Sequence, residues 1–202
     1  GNGLLLDYTK KQGDGARDNT NTNIDDLNLK LTKRLGDKNT LVLRGNLYNE
    51  DSQISYSGLT KAEYENFGRE YNPFNNDSFE VKRLGLSATH DWKISDKALL
   101  STNYYYSYFD RNWWRQSSNS NNIANSASTN CNQVRTDRLA GLAVDPSTCG
   151  GNEGRLRTYT TYGVEPRLTI THDMGELQLG ARAHFEDQDR RQVNGTSATA
   201  RN

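Results

Sequence analysis

The sequence predicts an all-β fold, an antiparallel transmembrane β-barrel segment. Three observations predict it. Apolar and polar residues alternate with period two over long stretches. Short polar turns alternate with long polar connections, and the long ones gather at one end of the strands. One face of the strands carries arginine, and the other carries leucine, alanine and aromatic residues.

The elements follow in order. A weak first strand near 3–11 places Leu4, Leu6 and Tyr8 on one face. Over 26–35, Leu27, Leu29 and Leu31 oppose Asn28, Lys30 and Thr32. Over 41–50, Leu41, Leu43, Gly45 and Leu47 oppose Val42, Arg44, Asn46 and Tyr48. Over 81–92, Leu84, Leu86, Ala88 and Trp92 oppose Arg83, Gly85, Ser87 and Thr89. Over 98–111, Leu100, Tyr104, Tyr106 and Tyr108 oppose Ser101, Asn103, Ser107 and Arg111. Over 156–172, Tyr162, Val164, Pro166, Leu168 and Ile170 oppose Thr161, Gly163, Glu165 and Arg167. Over 176–190, Leu177, Leu179, Ala181, Ala183 and Phe185 oppose Gln178, Arg182, His184 and Glu186. Pro166 cannot donate to a ladder, so a bulge or local distortion is expected there.

The short turns are Gly36-Asp37-Lys38, Ser95-Asp96-Lys97 and Asp173-Met174-Gly175. The long connections span 53–76 and 114–154, and the tail after 192 reads as the start of another. Outer-membrane barrels put short turns on the periplasmic side and longer loops outside. A soluble sheet whose apolar face is simply its core remains the competing reading.

Composition at first points elsewhere. Lysine and arginine balance aspartate and glutamate at 25 each, and the mean hydropathy is strongly negative. No apolar run reaches the ~20 residues of a membrane helix. Barrel strands, however, need apolar residues only at alternate positions, and their loops are polar. Balanced charge and the lack of a basic stripe give no argument for a nucleic-acid partner. Phosphate loops, nucleophile elbows and His-Glu-x-x-His are missing, so nothing suggests an enzyme or a cofactor.

An arginine in lipid costs ~2–4 kcal/mol at the bilayer midplane. Arg44, Arg83, Arg167 and Arg182, with Glu165 and Glu186 on the same face, are therefore expected to face the lumen. The pattern gives about seven strands, too few to close a bacterial barrel. The expectation is that residues 1–202 are part of a larger barrel domain.

Several stretches carry a family resemblance. They are Gly58-Leu59-Thr60 with Glu63, then Asn72-Pro73-Phe74-Asn75-Asn76-Asp77-Ser78-Phe79. Gly154-Arg155-Leu156-Arg157-Thr158-Tyr159 and Tyr162-Gly163-Val164-Glu165-Pro166-Arg167-Leu168 follow. Leu179-Gly180-Ala181-Arg182-Ala183-His184-Phe185-Glu186, with Arg190, completes the set. In order and spacing the chain resembles TonB-dependent outer-membrane receptors, in particular ferric dicitrate receptors. The resemblance implies a 22-stranded barrel filled by a plug, set in outer-membrane lipid. It implies a ferric chelate as cargo, and energy from the TonB-ExbB-ExbD complex acting through the plug. By the same resemblance the plug domain and the barrel C-terminus are not present in these residues. A receptor for another siderophore or an oligosaccharide, or a passive porin, stays open beside it.

Ferric citrate complexes are anionic, and arginine offers a planar donor fork that suits carboxylate. Arg111, Arg115, Arg155 and Arg157 share lumen parity at the long-loop end, with Trp113 and Gln116 as supporting candidates. Arg135 and Arg138 lie in the long loop and could close over a ligand. The alternative for each is pairing with a lumen carboxylate or the plug. Cys131 and Cys149 fall in that same loop, and an oxidising compartment favours a disulfide over a metal site. Closing such a loop stabilises by roughly 3 kcal/mol in the chain-entropy model.

Overall fold

The computed structural model describes residues 2–116, 128–146, 152–195 and 201. They form one antiparallel sheet of β1 (Gly3–Asp14), β2 (Asn21–Leu35), β3 (Asn39–Gln53), β4 (Ser78–Ser95), β5 (Ala98–Arg115), β6 (Glu153–His172), β7 (Gly175–Gly180) and β8 (Ala183–Asn194). Each strand pairs with the next along the chain from β1 to β6, and β7 and β8 both pair with β6. An up-and-down meander of this kind is the order of a barrel wall. The fold is thus a segment of a β-barrel, as the alternation predicts.

The strand expected over 176–190 is split in two, and Pro166 is the reason. Arg167↔Gly180 and Val164↔Ala183 keep a single register across the break. The Ala181 N–H donates to the Pro166 carbonyl at 3.1 Å. Proline has no N–H to return that bond, so the ladder opens locally without slipping. The distortion is a gap rather than a bulge.

Because every side chain alternates faces, the pairing arranges residues into rows across the sheet. Leu4, Leu31, Leu43, Ala88, Tyr104, Val164 and Ala183 form one outer row. Leu6, Leu29, Gly45, Leu86, Tyr106, Tyr162 and Phe185 form the next toward the long connections. Two rows further on, the same face reads Lys10, Asp25, Asn49, Lys82, Asp110, Thr158 and Asp189. The outer face therefore turns from apolar to polar at a definite level. β6 is 20 residues long, whereas a tilted strand crosses a bilayer in about 9–11. The strands rise well beyond the apolar band.

The outer face has no protein cover: Leu4, Leu6, Leu29, Leu86, Tyr104, Tyr162 and Phe185 are all exposed. The buried apolar side chains among the described residues are Phe74, Val81, Trp114 and Val134, and all belong to the long-connection end. A soluble sandwich would instead bury its apolar face against a second sheet. No helix among the described residues is long and apolar enough to cross a membrane, which says nothing of strands.

The two long connections contain helices that alternation did not foresee, α1 (Lys61–Phe67) and α2 (Ser128–Leu139). α1 begins with a capping box. Thr60 accepts the Glu63 N–H, and the Glu63 carboxylate accepts the Thr60 N–H. The Thr-x-x-Glu spacing is a legible helix start. At the same end, the connection between β1 and β2 is short, spanning 15–20.

The two faces predict opposite responses to one substitution. In the complete barrel, Leu86→Arg should lower folding stability in lipid vesicles by ~2–4 kcal/mol, while Ser87→Arg, one residue away on the polar face, should leave it within ~1 kcal/mol. Equal losses measured by denaturant titration would show that the face assignment is wrong.

Candidate functional site

The polar face gathers its arginines at the rim. Register places Arg111 of β5 beside Arg157 of β6, and Arg157 beside Arg190 of β8. Neighbouring strands lie about 5 Å apart, so three guanidinium groups share one row. That row sits one residue mouthward of the level where the outer face turns polar. Arg111, Arg157 and Arg190 form no ion pair among the described residues. The Arg111 Nε is buried and lacks a hydrogen-bond acceptor. Below the row, Phe109 and Tyr159 make an aromatic floor with ring centroids 6.0 Å apart, and the Arg190 guanidinium lies 5.6 Å over Tyr159.

The next rows hold the remaining candidates. Trp113 pairs in register with Arg155, and Arg115 with Glu153. Arg115 is only 8% exposed and stacks on Tyr56 at 4.1 Å and on Trp113 at 5.2 Å. Tyr56 and Trp113 meet edge to face, and the Trp113 indole N–H is buried without an acceptor. The Glu153 carboxylate, 3% exposed, takes Nη2 of Arg155 at 2.7 Å and Nη2 of Arg115 at 3.2 Å on the same oxygen. Gly154 between them has a packing reason: a Cβ there would come within 2.8 Å of both the Trp114 ring and Val193.

Gln116 is fully buried and serves as a joint. Its N–H donates to the Asp77 carboxylate at 2.6 Å, and its side-chain amide donates to the Pro146 carbonyl. The other Asp77 oxygen accepts the Tyr56 N–H at 3.1 Å, and the Asp77 carbonyl accepts the Ile54 N–H. Asp77 therefore ties both feet of the 54–77 connection to the foot of the next one. Sequence reasoning did not single it out as a functional position.

Arg138, expected as a loop arginine that could close over a ligand, is buried as a clasp. Its Nε meets Glu63 at 2.6 Å and its Nη2 meets the other carboxylate oxygen at 3.0 Å, while Nη2 also reaches the Gly58 carbonyl. Thr60 donates to the Arg138 carbonyl, and Asn66 donates to the Gly141 carbonyl. Arg17 of the 15–20 connection donates to the Ser57 carbonyl at 2.9 Å, and Asn72 donates to Asp18. All three mouth connections are thus tied together. Arg135 is exposed on α2. Cys149 lies outside the described residues, so the expected pairing of Cys131 with Cys149 does too.

The deeper candidates share the polar face. Arg182 pairs with Glu165 at 2.9 Å and donates to the Tyr105 hydroxyl. Tyr105 reaches across Gly163 to His184 Nδ1 at 2.7 Å, and His184 faces Glu186. Arg83 donates to Asn46 at 3.0 Å and covers the Tyr48 ring. Arg44 lies in register with Ser87 and Arg167 with Ser101, both on this face. Arg190 is not among the residues that the sequence suggests for the site, because its alignment with Arg111 and Arg157 depends on the register.

A wall of long strands with a lipid-type outer face, an arginine-bearing inner face and tied loops defines a transmembrane β-barrel segment. Among solved structures the chain is similar to the ferric citrate transporter FecA in its unliganded form, with TM-score 0.76, 18% identity, and coverage of 100% of this chain and 26% of that one. It is also similar to the ferric-catecholate import receptor Fiu from K12 E. coli, with TM-score 0.65, 12% identity and coverage of 94% and 28%. A third is BauA, the ferric preacinetobactin receptor from Acinetobacter baumannii, with TM-score 0.60, 13% identity and coverage of 100% and 30%. The chain spans less than a third of each. No family model and no curated protein matches it. At these identities the likeness establishes the fold.

Two expectations follow. Removing one member of a buried ion pair costs ~3–5 kcal/mol, so Arg138→Ala should free the mouth connections and raise hydrogen exchange across 58–66 without altering the strands. Unchanged protection there would show that the clasp holds nothing. Burial pushes the Asp77 carboxyl up to about 6, against the Gln116 and Tyr56 N–H donors and the Arg115 guanidinium, which all pull it down. Arg115 in turn pairs with Glu153 at 3.2 Å. An opened, hydrated Asp77 returns to the ordinary carboxylate range. Between pH ~4 and ~6 the closed joint then holds a proton that the open one lacks, so acidification favours closure. A spin label at position 57 should lose mobility as pH falls from ~7 to ~5, and Asp77→Asn should abolish that response.

Proposed function

We propose that this wall belongs to an outer-membrane receptor that takes up a ferric chelate, most simply one of citrate type, with energy supplied through TonB. The observation that carries the reading is the row Arg111, Arg157 and Arg190. Three cations aligned at the lumen rim, with no carboxylate partner among the described residues, form a site for a polyanion. Arginine stays charged at every physiological pH, and its fork can take two carboxylate oxygens at once. The solved structures of like fold, whose names describe ferric chelate transport and import, support the reading.

In this reading the chelate enters between the tied mouth connections and settles on the arginine row above Phe109 and Tyr159. Arg155 and Arg115 flank it. A Cys131–Cys149 disulfide would stiffen the long connection over the site. The deeper Arg182–Glu165 pair and the Tyr105–His184 contact line the path below and face the plug. The plug would in turn contact the TonB-ExbB-ExbD complex.

Ferric dicitrate binding to the full-length receptor tests this. Arg157→Ala and Arg190→Ala should each weaken it about 10-fold or more, the worth of one charge-assisted hydrogen bond, and added salt should weaken wild-type binding. If dicitrate does not bind but a ferric triscatecholate does, the cargo class shifts within the same architecture. Binding of neither removes the receptor reading.

A further inference from the structure

We propose that Glu153 is an internal counter-ion of the rim site, a positioning residue that sets how much negative charge the site accepts. This rests on the receptor reading above.

The argument starts from charge. Five arginines (Arg111, Arg115, Arg155, Arg157 and Arg190) stand in adjacent rows on β5, β6 and β8, and Glu153 is the one carboxylate paired to any of them among the described residues. Its placement splits the five into two groups. Arg115 and Arg155 each direct Nη2 onto the same Glu153 oxygen, while Arg111, Arg157 and Arg190 pair with no carboxylate among the described residues. Glu153 thus stands where a ligand carboxylate would stand toward Arg115 and Arg155.

Burial makes the placement consequential. Glu153 and Arg115 are almost wholly enclosed; Arg115 and Arg155 compensate Glu153, while Arg115 has Glu153 as its paired carboxylate and the Asp77 charge nearby. A buried charge stripped of its partner is costly, and any anion that reaches it recovers the loss. Unpaired polar atoms concentrate at the same corner: Arg111 Nε, Arg115 Nε, the Trp113 indole N–H and both side-chain polar atoms of Asn152. Four of these five atoms are donors and one, Asn152 Oδ1, is an acceptor, so donors are in excess where Glu153 holds two of the arginines.

Two consequences have opposite signs. Removing the Glu153 charge should destabilise the mouth, because buried Arg115 loses its directly paired carboxylate and keeps only the more distant Asp77 charge and its ring contacts. The same removal should strengthen binding of an anionic chelate, because Arg115 and Arg155 become available to it. A residue with a merely structural role would lower both quantities together.

The experiment uses the full-length receptor with ferric dicitrate as the probe and a neutral ferric trihydroxamate as control. Glu153→Gln should lower the unfolding midpoint yet tighten dicitrate binding by about 10-fold, with a steeper salt dependence. The trihydroxamate should show no gain. In an Arg155→Gln background the Glu153→Gln gain should shrink, and Glu153→Asp should restore wild-type affinity. Unchanged or weaker dicitrate binding by folded Glu153→Gln receptor overturns the inference while leaving the receptor reading intact. If Glu153→Gln does not fold, loss of the wild-type preference for dicitrate over trihydroxamate on Arg155→Gln supports the inference, and retention of it overturns it. A wild-type receptor that binds no anionic chelate removes the receptor reading and this inference with it.

Discussion

In a sheet that lies in lipid, each backbone N–H and C=O must find its partner inside the protein, because no water is present to substitute. That requirement forces long strands into an uninterrupted antiparallel ladder. A one-residue slip would turn leucines inward and arginines into the bilayer. Register here is therefore set by solvation as much as by hydrogen bonding. It runs from Leu6 on β1 to Phe185 on β8 as one row. Even Pro166, which removes a donor, leaves the register intact, since Arg167↔Gly180 and Val164↔Ala183 stand on either side of it.

The same constraint creates the candidate site. Arg111, Arg157 and Arg190 come from three strands and are remote in sequence. Fixed register alone brings them side by side, and fixed parity alone turns all three inward. Groups held on strands lose little freedom when they engage a ligand, which favours tight binding over a site built from loops. The clasp of Glu63 with Arg138 extends this stiffness to the mouth connections, which could otherwise collapse over the row.

Much of this was legible in the sequence. Period-two alternation places the strands, and parity puts Arg111, Arg155 and Arg157 on one face. What stayed hidden has physical reasons. Alternation reports which face a residue occupies and not which residue lies opposite it, so the alignment of Arg190 with Arg157 could not be read. The α1 start could have been found, since Thr60 and Glu63 have capping-box spacing. α2 has a weak apolar stripe, with polar residues on every side, and its place comes from the buried Arg138 contact with Glu63 across 75 residues of chain. Long-range ion pairs of this kind leave no local signal.

Glu153 shows the same limit at finer scale. In sequence it precedes Gly154 and Arg155 and looks like an ordinary strand-start acid. In the fold it stands against Arg115, which it meets only because the last residue of β5 pairs with the first residue of β6. Had the ladder ended two residues earlier, Arg115 and Arg155 would face water, and their charge would be screened. Extending the paired strands beyond the apolar band thus does more than lift the loops above the bilayer. It carries ordered backbone into a region of lowered dielectric beneath Tyr56 and the mouth connections, where an arginine and a carboxylate interact strongly. The length of β5 and β6 past the level of Asp110 is therefore part of the electrostatics of the site.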